Sequence, residues 1–431
     1  MAENAFTKTT TTGFGQRIGS SFKGVIMGLI LIVGGTALLW WNEGNFVATG
    51  DAISELGVNT VNVSDISTID SSLNGKPIHA TGMADTQDTL TDRVFGISAV
   101  AIKLNRTVQY YQWVEHSKTE TRQKLGGGEE KVTTYSYEKE WVSAPVESSK
   151  FEYPSRAQNT VLITIADEKL LADKVTFGAY TLPTFLKSAI SGEVPVEVEL
   201  TDTKIAELNG QIDPKLRSSQ QQATQEDEDM SSALVGFGRD SEDTPGTTQY
   251  VHVSGNSIYL GAAPNSPQIG DARVTITKVK PAQISIIAKV NGGTFEKYVA
   301  QNGMEIFEFA MGAKSTENMI SSAHESNSMM TWILRIVGII LIIVGIKTIL
   351  APLAVLASVL PILGDIVGMG TGIVSFVVGF AWSLVIIAIA WLRFRPVIGI
   401  IILLVAVAMT VFLVMRGRKK KAAAAAATPV V

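Results

Sequence analysis

From Trp332 to Met415 the chain runs for 84 residues of almost unbroken apolar sequence, interrupted by Arg335, Lys347, Asp365, Arg393 and Arg395. A helix crosses ~30 Å of hydrocarbon with about 20 apolar residues, so this block has length for about three crossings. A soluble fold has no use for such a segment at one terminus. The sequence is therefore that of a membrane protein, and the rest of the chain is what the membrane carries.

A second apolar stretch, Gly24 to Trp41, has 18 residues without a charge. A secretory signal would have a shorter apolar region, closing on small residues suited to cleavage. This one closes on Trp40-Trp41, an aromatic pair of the kind found where helices meet headgroups. It reads as an uncleaved anchor. Between the two apolar regions lie roughly 290 residues of globular composition, enough to bury a core without staples. Cysteine is absent, which removes disulfides and Cys-ligated metals, and a net charge of −4 gives no footing for a nucleic-acid partner.

Charge sets the expected topology. Lys8, Arg17 and Lys23 precede the first span, and Arg416, Arg418, Lys419, Lys420 and Lys421 follow the last. Cytoplasmic flanks carry such an excess, and two ends on one side require an even number of spans. The expected order is a cytoplasmic segment 1–23, helix 24–41, a non-cytoplasmic domain 42–331, helix 332–350, a connector 351–365, helices 366–391 and 397–415, and a basic, Ala-rich cytoplasmic tail 416–431. The connector, bracketed by Pro352 and Pro361, reads as interfacial or re-entrant. Arg335, Arg393 and Arg395 strain this order by sitting at the non-cytoplasmic ends of spans, where they can snorkel to headgroups or pair with acidic groups on the domain. The fold class is thus α+β: four transmembrane helices, one N-terminal and three C-terminal, with a large β-rich extramembrane domain between the first and second.

Within the domain the helical pattern continues from Asn42 to about Leu56, and a β-leaning region follows. Thr107 to Val142 reads as a long hairpin with its tip at Leu125–Glu130. Tyr111 and Trp113 share a face of one arm, and Tyr135, Tyr137 and Trp141 share a face of the other. A turn centred near Gly127 would set Trp113 opposite Trp141. These rings either cover a core or form a partner-docking or lipid-facing ribbon. Strands are expected over Val161–Ala166, Tyr250–Leu260, Ala272–Val279, Ile284–Val290 and Thr294–Val299, and a helix over Lys314–Asn327. Leu170–Ile190 is ambiguous. Residues 218–246 form an acidic, low-complexity loop, whose carboxylates lack the glycine and spacing of a calcium site.

No charge lies near the middle of a span, which weighs against ion-coupled transport. Gly368, Gly372, Ser375, Gly379 and Ser383 make a small-residue stripe on the third span, and Gly24, Gly28 and Gly35 make one on the first. Such faces let helices approach closely in lipid, within one chain or between chains. His79, His116, His252 and His324 match no zinc spacing, and there is no phosphate loop, dinucleotide fingerprint or nucleophile elbow. No catalytic residue, cofactor or metal site is assigned.

Six short stretches in order carry a resemblance. They are Asn42-Glu43-Gly44; Tyr111-Gln112-Trp113-Val114-Glu115; Tyr135-Ser136-Tyr137 with Glu140-Trp141; Gly270-Asp271 with Arg273-Val274; Ser326-Asn327-Ser328-Met329 with Thr331-Trp332; and Trp391 with Arg395-Pro396. From about residue 20 to 415 the chain resembles the transmembrane protein 43 (LUMA) family. The resemblance implies four spans with a large domain between the first and second. It also implies self-association and a role in organising the endoplasmic reticulum and inner nuclear envelope, with lamins and emerin as partners in animals. In a bacterial member the membrane would be the cytoplasmic one, the domain would be periplasmic or extracytoplasmic, and nuclear partners would not apply. Asn62-Val63-Ser64 and Asn105-Arg106-Thr107 would matter as glycosylation sequons only in a lumen.

The reading is a non-enzymatic, self-associating integral membrane scaffold that organises membrane or envelope complexes through its β-rich domain. Its partners are the lipid bilayer, further copies of itself and other membrane proteins. The alternatives are a channel or transporter, or an accessory subunit of one, and an envelope enzyme acting on lipid or glycan.

Overall fold

The computed structural model describes residues 5–212, 214, 249–397, 399–401 and 404. The acidic loop 218–246, the basic tail and nearly all of the expected fourth span lie outside the described residues. Three helices within them are long and apolar enough to cross a membrane.

The first, α1, spans Phe14–Asn59 without a break. The expected anchor and the helical stretch after it are one rod, because no glycine or proline between Trp41 and Leu56 falls where the backbone must turn. Two short helices of the domain follow, α2 at Thr184–Ala189 and α3 at 202–212. Next comes α4, Thr316–Ala357, opened by Ser315, whose hydroxyl accepts from the Asn318 amide. The expected helix over Lys314–Asn327 is its first third. The final long helix, α5, is Pro361–Phe394. The connector expected over 351–365 is corrected by these bounds: only Ser358–Leu360 lies outside helix. Pro352 sits inside α4, where neighbouring helices make a broken backbone bond tolerable. Pro361 opens α5, where its missing N–H is no loss.

α1 and α4 run antiparallel along a glycine seam. A Cβ on Gly28 would lie 2.6 Å from the Gly345 carbonyl, and one on Gly35 would lie 2.9 Å from that of Gly338. Gly24 faces Thr348 at 3.3 Å. On α5, Gly379 meets Ile343 at 2.8 Å, Ser375 and Ser383 are fully buried, and Trp382 donates to Thr36 across the bundle. Large side chains on the outer faces, such as Ile30, Val33, Ile340 and Phe376, are more than half exposed, as lipid-facing groups are.

The domain has two sheets. One has eight strands, ordered 5–12, 129–142, 103–123, 272–279, 257–260 and 251–254, with 193–195 beside 272–279 and 168–171 beside 103–123. The other has seven, ordered 308–311, 282–291, 294–296, 180–181, 176–177, 77–85 and 61–63. Each covers its own core. Val108, Tyr110, Ile258, Val274 and Ile276 centre the first; Ile78, Phe177, Tyr180, Ile284 and Ile286 centre the second. Leu56 and Met319 of the long helices pack on Ile287, which joins the second sheet to the bundle.

Two local expectations are corrected. Val161–Ala166 buries Leu162, Ile163 and Ile165 but is not a ladder strand. Side chains satisfy part of its backbone instead: the Tyr110 hydroxyl takes the Ile165 amide at 2.9 Å, and the Arg106 guanidinium donates to the Ala166 carbonyl at 2.9 Å, while the Leu162 amide donates to the Gly270 carbonyl. The hairpin register differs by two residues, so Tyr111, not Trp113, lies opposite Trp141, and Trp113 faces Lys139. The turn is tighter than expected because Gly126 and Gly127 both take positive φ, +85° and +77°.

The N-terminal segment also makes a contact that its expected side of the membrane did not suggest. Expected across the bilayer from the domain, residues 5–12 form a strand paired with 129–136 of the hairpin. The hairpin tip reaches the start of α1. Arg17 donates to the Gly127 carbonyl at 2.6 Å and meets Glu129 at 3.3 Å, while the Gly126 amide donates to Val359, between α4 and α5.

Candidate functional site

Where the helices leave the apolar zone, three stretches that are far apart in sequence meet. Glu43 on α1 and Arg335 on α4 each lie just beyond or just inside an apolar run, and antiparallel packing brings them to one depth. Arg335 donates from Nε to Glu43 Oε1 at 2.6 Å and from Nη2 to Oε2 at 2.7 Å. Trp391 of α5 donates its indole N–H to the same Oε2 at 2.8 Å. The guanidinium lies over the Trp332 ring at 4.9 Å and the Trp391 ring at 5.7 Å. Glu43 is 1% exposed and Arg335 7%. Asn42 Nδ2 donates to the Thr331 carbonyl, and Asn327 Nδ2 to that of Phe46. Gly44 lets Phe394 close within 2.8 Å of where a Cβ would stand, and Arg395 lies over Phe46 at 4.6 Å.

This clasp binds the three long helices and answers the strain that Arg335 posed: the charge is paired within the bundle, not with the domain. Two parallel, charge-assisted bonds with an indole third occupy both carboxylate oxygens and fix the group in place. The Asn42–Gly44, Ser326–Trp332 and Trp391–Pro396 stretches noted in the sequence are the parts that meet here. Glu43 was not among the expected site residues. Its signal was a lone carboxylate beside Trp41, matched by a lone guanidinium beside Trp332.

The aromatic ribbon is a second cluster. Tyr111, Trp113, Tyr135, Tyr137 and Trp141 all project from one face, opposite that of Tyr110, which enters the core. They do not cover that core. Phe151 and Tyr153 fold over the lower half, where Tyr137 is 4% exposed and bonded to Glu115. Burial, with that bond second, pushes the Tyr137 hydroxyl up to about 12. On the upper half the Tyr111 and Trp141 rings meet at 5.2 Å, tilted by 50°, Lys139 lies over Trp113 at 5.0 Å, and Arg273 over Trp141 at 4.4 Å. Behind them Asp271, fully buried, accepts from the Tyr259 hydroxyl and the Gln268 amide; burial raises its carboxyl above the ordinary range. The Tyr111–Glu115, Glu140-Trp141 and Gly270–Val274 stretches meet here.

Of the small-residue stripes, Gly24, Gly28, Gly35, Gly379, Ser375 and Ser383 are used within the chain, whereas Gly368 and Gly372 have no neighbour within 4 Å of a Cβ among the described residues. On the hairpin's exposed surface His116, Glu138 and Glu140 lie within 4.8 Å of one another, with His116 bonded to Glu140 at 2.7 Å. Asn105 of the second sequon is buried and bonded to Glu193, so that site is closed to a glycan in the folded domain.

The sequence family described as Transmembrane protein 43 matches residues 110–396. The chain belongs to the transmembrane protein 43 family. Human transmembrane protein 43 is 25% identical over 428 residues, covering 96% of this chain and 95% of the human one. The rat protein is 24% identical over 384 residues, covering 89% and 88%, and the Drosophila melanogaster homologue 25% over 391, covering 88% and 91%. No solved structure matches. Family membership and the three spanning-length helices make this transmembrane protein 43 relative a multi-pass integral membrane protein.

Proposed function

We propose that the protein is a non-catalytic membrane scaffold that self-associates through its helices and docks other membrane proteins on its β-rich domain. The observation that carries this reading is the division among its glycines. Those facing α4 are consumed by internal packing, while Gly368 and Gly372 meet no neighbour among the described residues and form a small-residue face suited to a second copy. The open upper half of the aromatic ribbon, Tyr111, Trp113 and Trp141, supplies rings and cations of the kind that dominate binding surfaces. The Glu43 carboxylate is held by Arg335 and Trp391, which favours a structural role over a reacting one.

Crosslinking of the full chain in native membranes tests the self-association. A ladder of multimers that Gly368→Leu with Gly372→Leu abolishes is the expected result. A strictly monomeric species refutes it. For the docking face, Tyr111→Ala with Trp113→Ala should strip co-purifying membrane proteins while leaving the multimer ladder intact.

A further inference from the structure

On the eight-stranded sheet, the face away from the core carries a row of polar side chains. Arg273 lies opposite Gln109 on one side and Tyr259 on the other, and Tyr259 lies opposite His252. Residues paired in this way share a face, and the next row on it sets Ser254 opposite Ser257. Tyr111 is two residues from Gln109 and pairs with Trp141, so the aromatic ribbon runs into the same surface. Trp141, His252, Ser254, Ser257, Tyr259 and Arg273, with two prolines of the loop before Asp271, line a pocket of about 330 Å³. That volume is at the small end of ligand sites.

Three observations describe its occupant. Arg273 is held in place by neutral groups: its Nε donates to Gln109 Oε1 at 2.7 Å and its guanidinium lies over the Trp141 ring at 4.4 Å. Its two terminal nitrogens have no hydrogen bond or ion pair among the described residues. His252 Nε2 is buried and also lacks a hydrogen-bond partner among them. Third, no Asp or Glu lines the pocket. Asp271 is committed to the Tyr259 hydroxyl and the Gln268 amide, and burial raises its carboxyl, which makes it a poor counter-ion for Arg273. Lys139, over Trp113 on the same face, has no carboxylate partner among the described residues either. The surface is thus cationic and unanswered.

We infer that this pocket seats a carboxylate side chain from an acidic, extended segment of a partner protein, held by the terminal nitrogens of Arg273 with His252, Ser254 and Ser257 as further donors. This specifies the docking role proposed above and rests on it. A planar guanidinium presents a fork of donors that matches a carboxylate, and here the fork is fixed before the partner arrives. One permanent cation in the lining answers the single charge of a carboxylate, whereas a phosphate dianion calls for a second. Strand 251–254 is the outermost of its sheet, so the pocket sits at a margin where an extended segment can run alongside.

The test uses the full chain in detergent and a pair of fluorescein-labelled octapeptides, one of alternating Glu and Gly and the other with Gln for Glu, read by fluorescence anisotropy. The expected result is about tenfold tighter binding of the Glu peptide, from one charge-assisted contact. Arg273→Lys keeps the charge but loses the fork, and should lose the preference. Ser254→Glu, at an exposed position, sets a rival carboxylate at the pocket and should do the same, which keeps the proposal testable if Arg273→Lys fails to fold. Equal binding of the two peptides by the unmodified protein overturns the proposal, as does a preference that survives either substitution. Tighter binding of a phosphoserine counterpart overturns the choice of a carboxylate. Binding that appears only after Glu226-Asp227-Glu228-Asp229 are replaced by serine overturns the assignment to a partner, since the chain's own acids would then be the occupant. Where equal peptide binding accompanies loss of co-purifying proteins in Tyr111→Ala with Trp113→Ala, the docking face stands and only its charge preference falls.

Discussion

Arg335 grips Glu43 through two parallel hydrogen bonds of 2.6 and 2.7 Å, at the same depth on antiparallel helices. Removing one partner strands a buried charge, a loss of about 3–5 kcal/mol, whereas replacing both by apolar groups is often near neutral. Glu43→Gln and Arg335→Leu alone should each destabilise the detergent-solubilised protein strongly, and Glu43→Met with Arg335→Leu should recover most of the loss. Thermal unfolding of the four proteins forms the cycle. Additive effects in the double variant would mean that the two side chains do not act as a pair.

The glycine seam makes a contrasting pair of expectations. Gly35→Leu would drive its side chain into the Gly338 carbonyl and Ile342, both within 3 Å of a bare Cβ. Overpacking of this kind costs about 1–3 kcal/mol or more. Gly372→Leu meets nothing within 4 Å among the described residues and should leave the monomer's unfolding midpoint unchanged. Equal loss at both positions would contradict the assignment of the first face to internal packing.

Glu308 gives a pH dependence with a definite sign. Its carboxyl is raised from the ordinary 4.5 to about 7 in the folded chain. Between those values the unfolded chain ionises the group while the folded one keeps it protonated. Stability from this residue is thus full below pH 4.5 and is lost as pH rises through 7. Glu308→Gln should flatten that fall and, at pH 8 in lipid-free detergent, exceed the unmodified protein by about 2 kcal/mol. Chemical denaturation at pH 5 and pH 8 measures it, and a variant less stable at pH 8 would refute it.

The N-terminal strand makes topology measurable. Thr10 lies opposite Lys131 on paired strands. Thr10→Cys with Lys131→Cys should form a disulfide under mild oxidation in native membranes, since the chain has no other cysteine. Absence of the crosslink there, with formation in detergent, would mean that the bilayer separates the two segments, as the basic termini suggest.

That experiment also bears on the ribbon. Tyr111 to Gln123 spans about 40 Å as a strand, and Arg17 to Glu43 spans about 39 Å along α1. The hairpin therefore reaches as far as the apolar part of the helix is long. Lys118 and Arg122 on it are exposed, and strand edges are not tolerated in hydrocarbon. A bilayer around the bundle leaves room for the tip contact with Arg17 only where another surface screens these groups from lipid.

The helices were legible because apolar length is a local property of sequence. Their ends were not: Pro352 reads as a break, yet a helix packed by neighbours absorbs it. The strands at 272–279 and 282–291 showed in their β-branched runs. Val161–Ala166 looked the same, but its partners are the side chains of Tyr110 and Arg106, which no local pattern reveals. The two-residue register error at Trp113 came from the choice of turn residue. The clasp was half legible: Arg335 stood out as a charge needing a partner, but choosing Glu43 requires knowing which helix lies alongside.

The 46 residues of α1 and 42 of α4 carry the chain from the interior of the domain through the apolar zone with no hinge between. A rod of 46 residues is about 69 Å long. A pivot at the clasp turns the pair into a lever, in which tilting the domain by about 10° swings the far end of α1 by several ångströms. A load applied to the folded body is thereby delivered as torque inside the lipid, without any flexible joint to dissipate it.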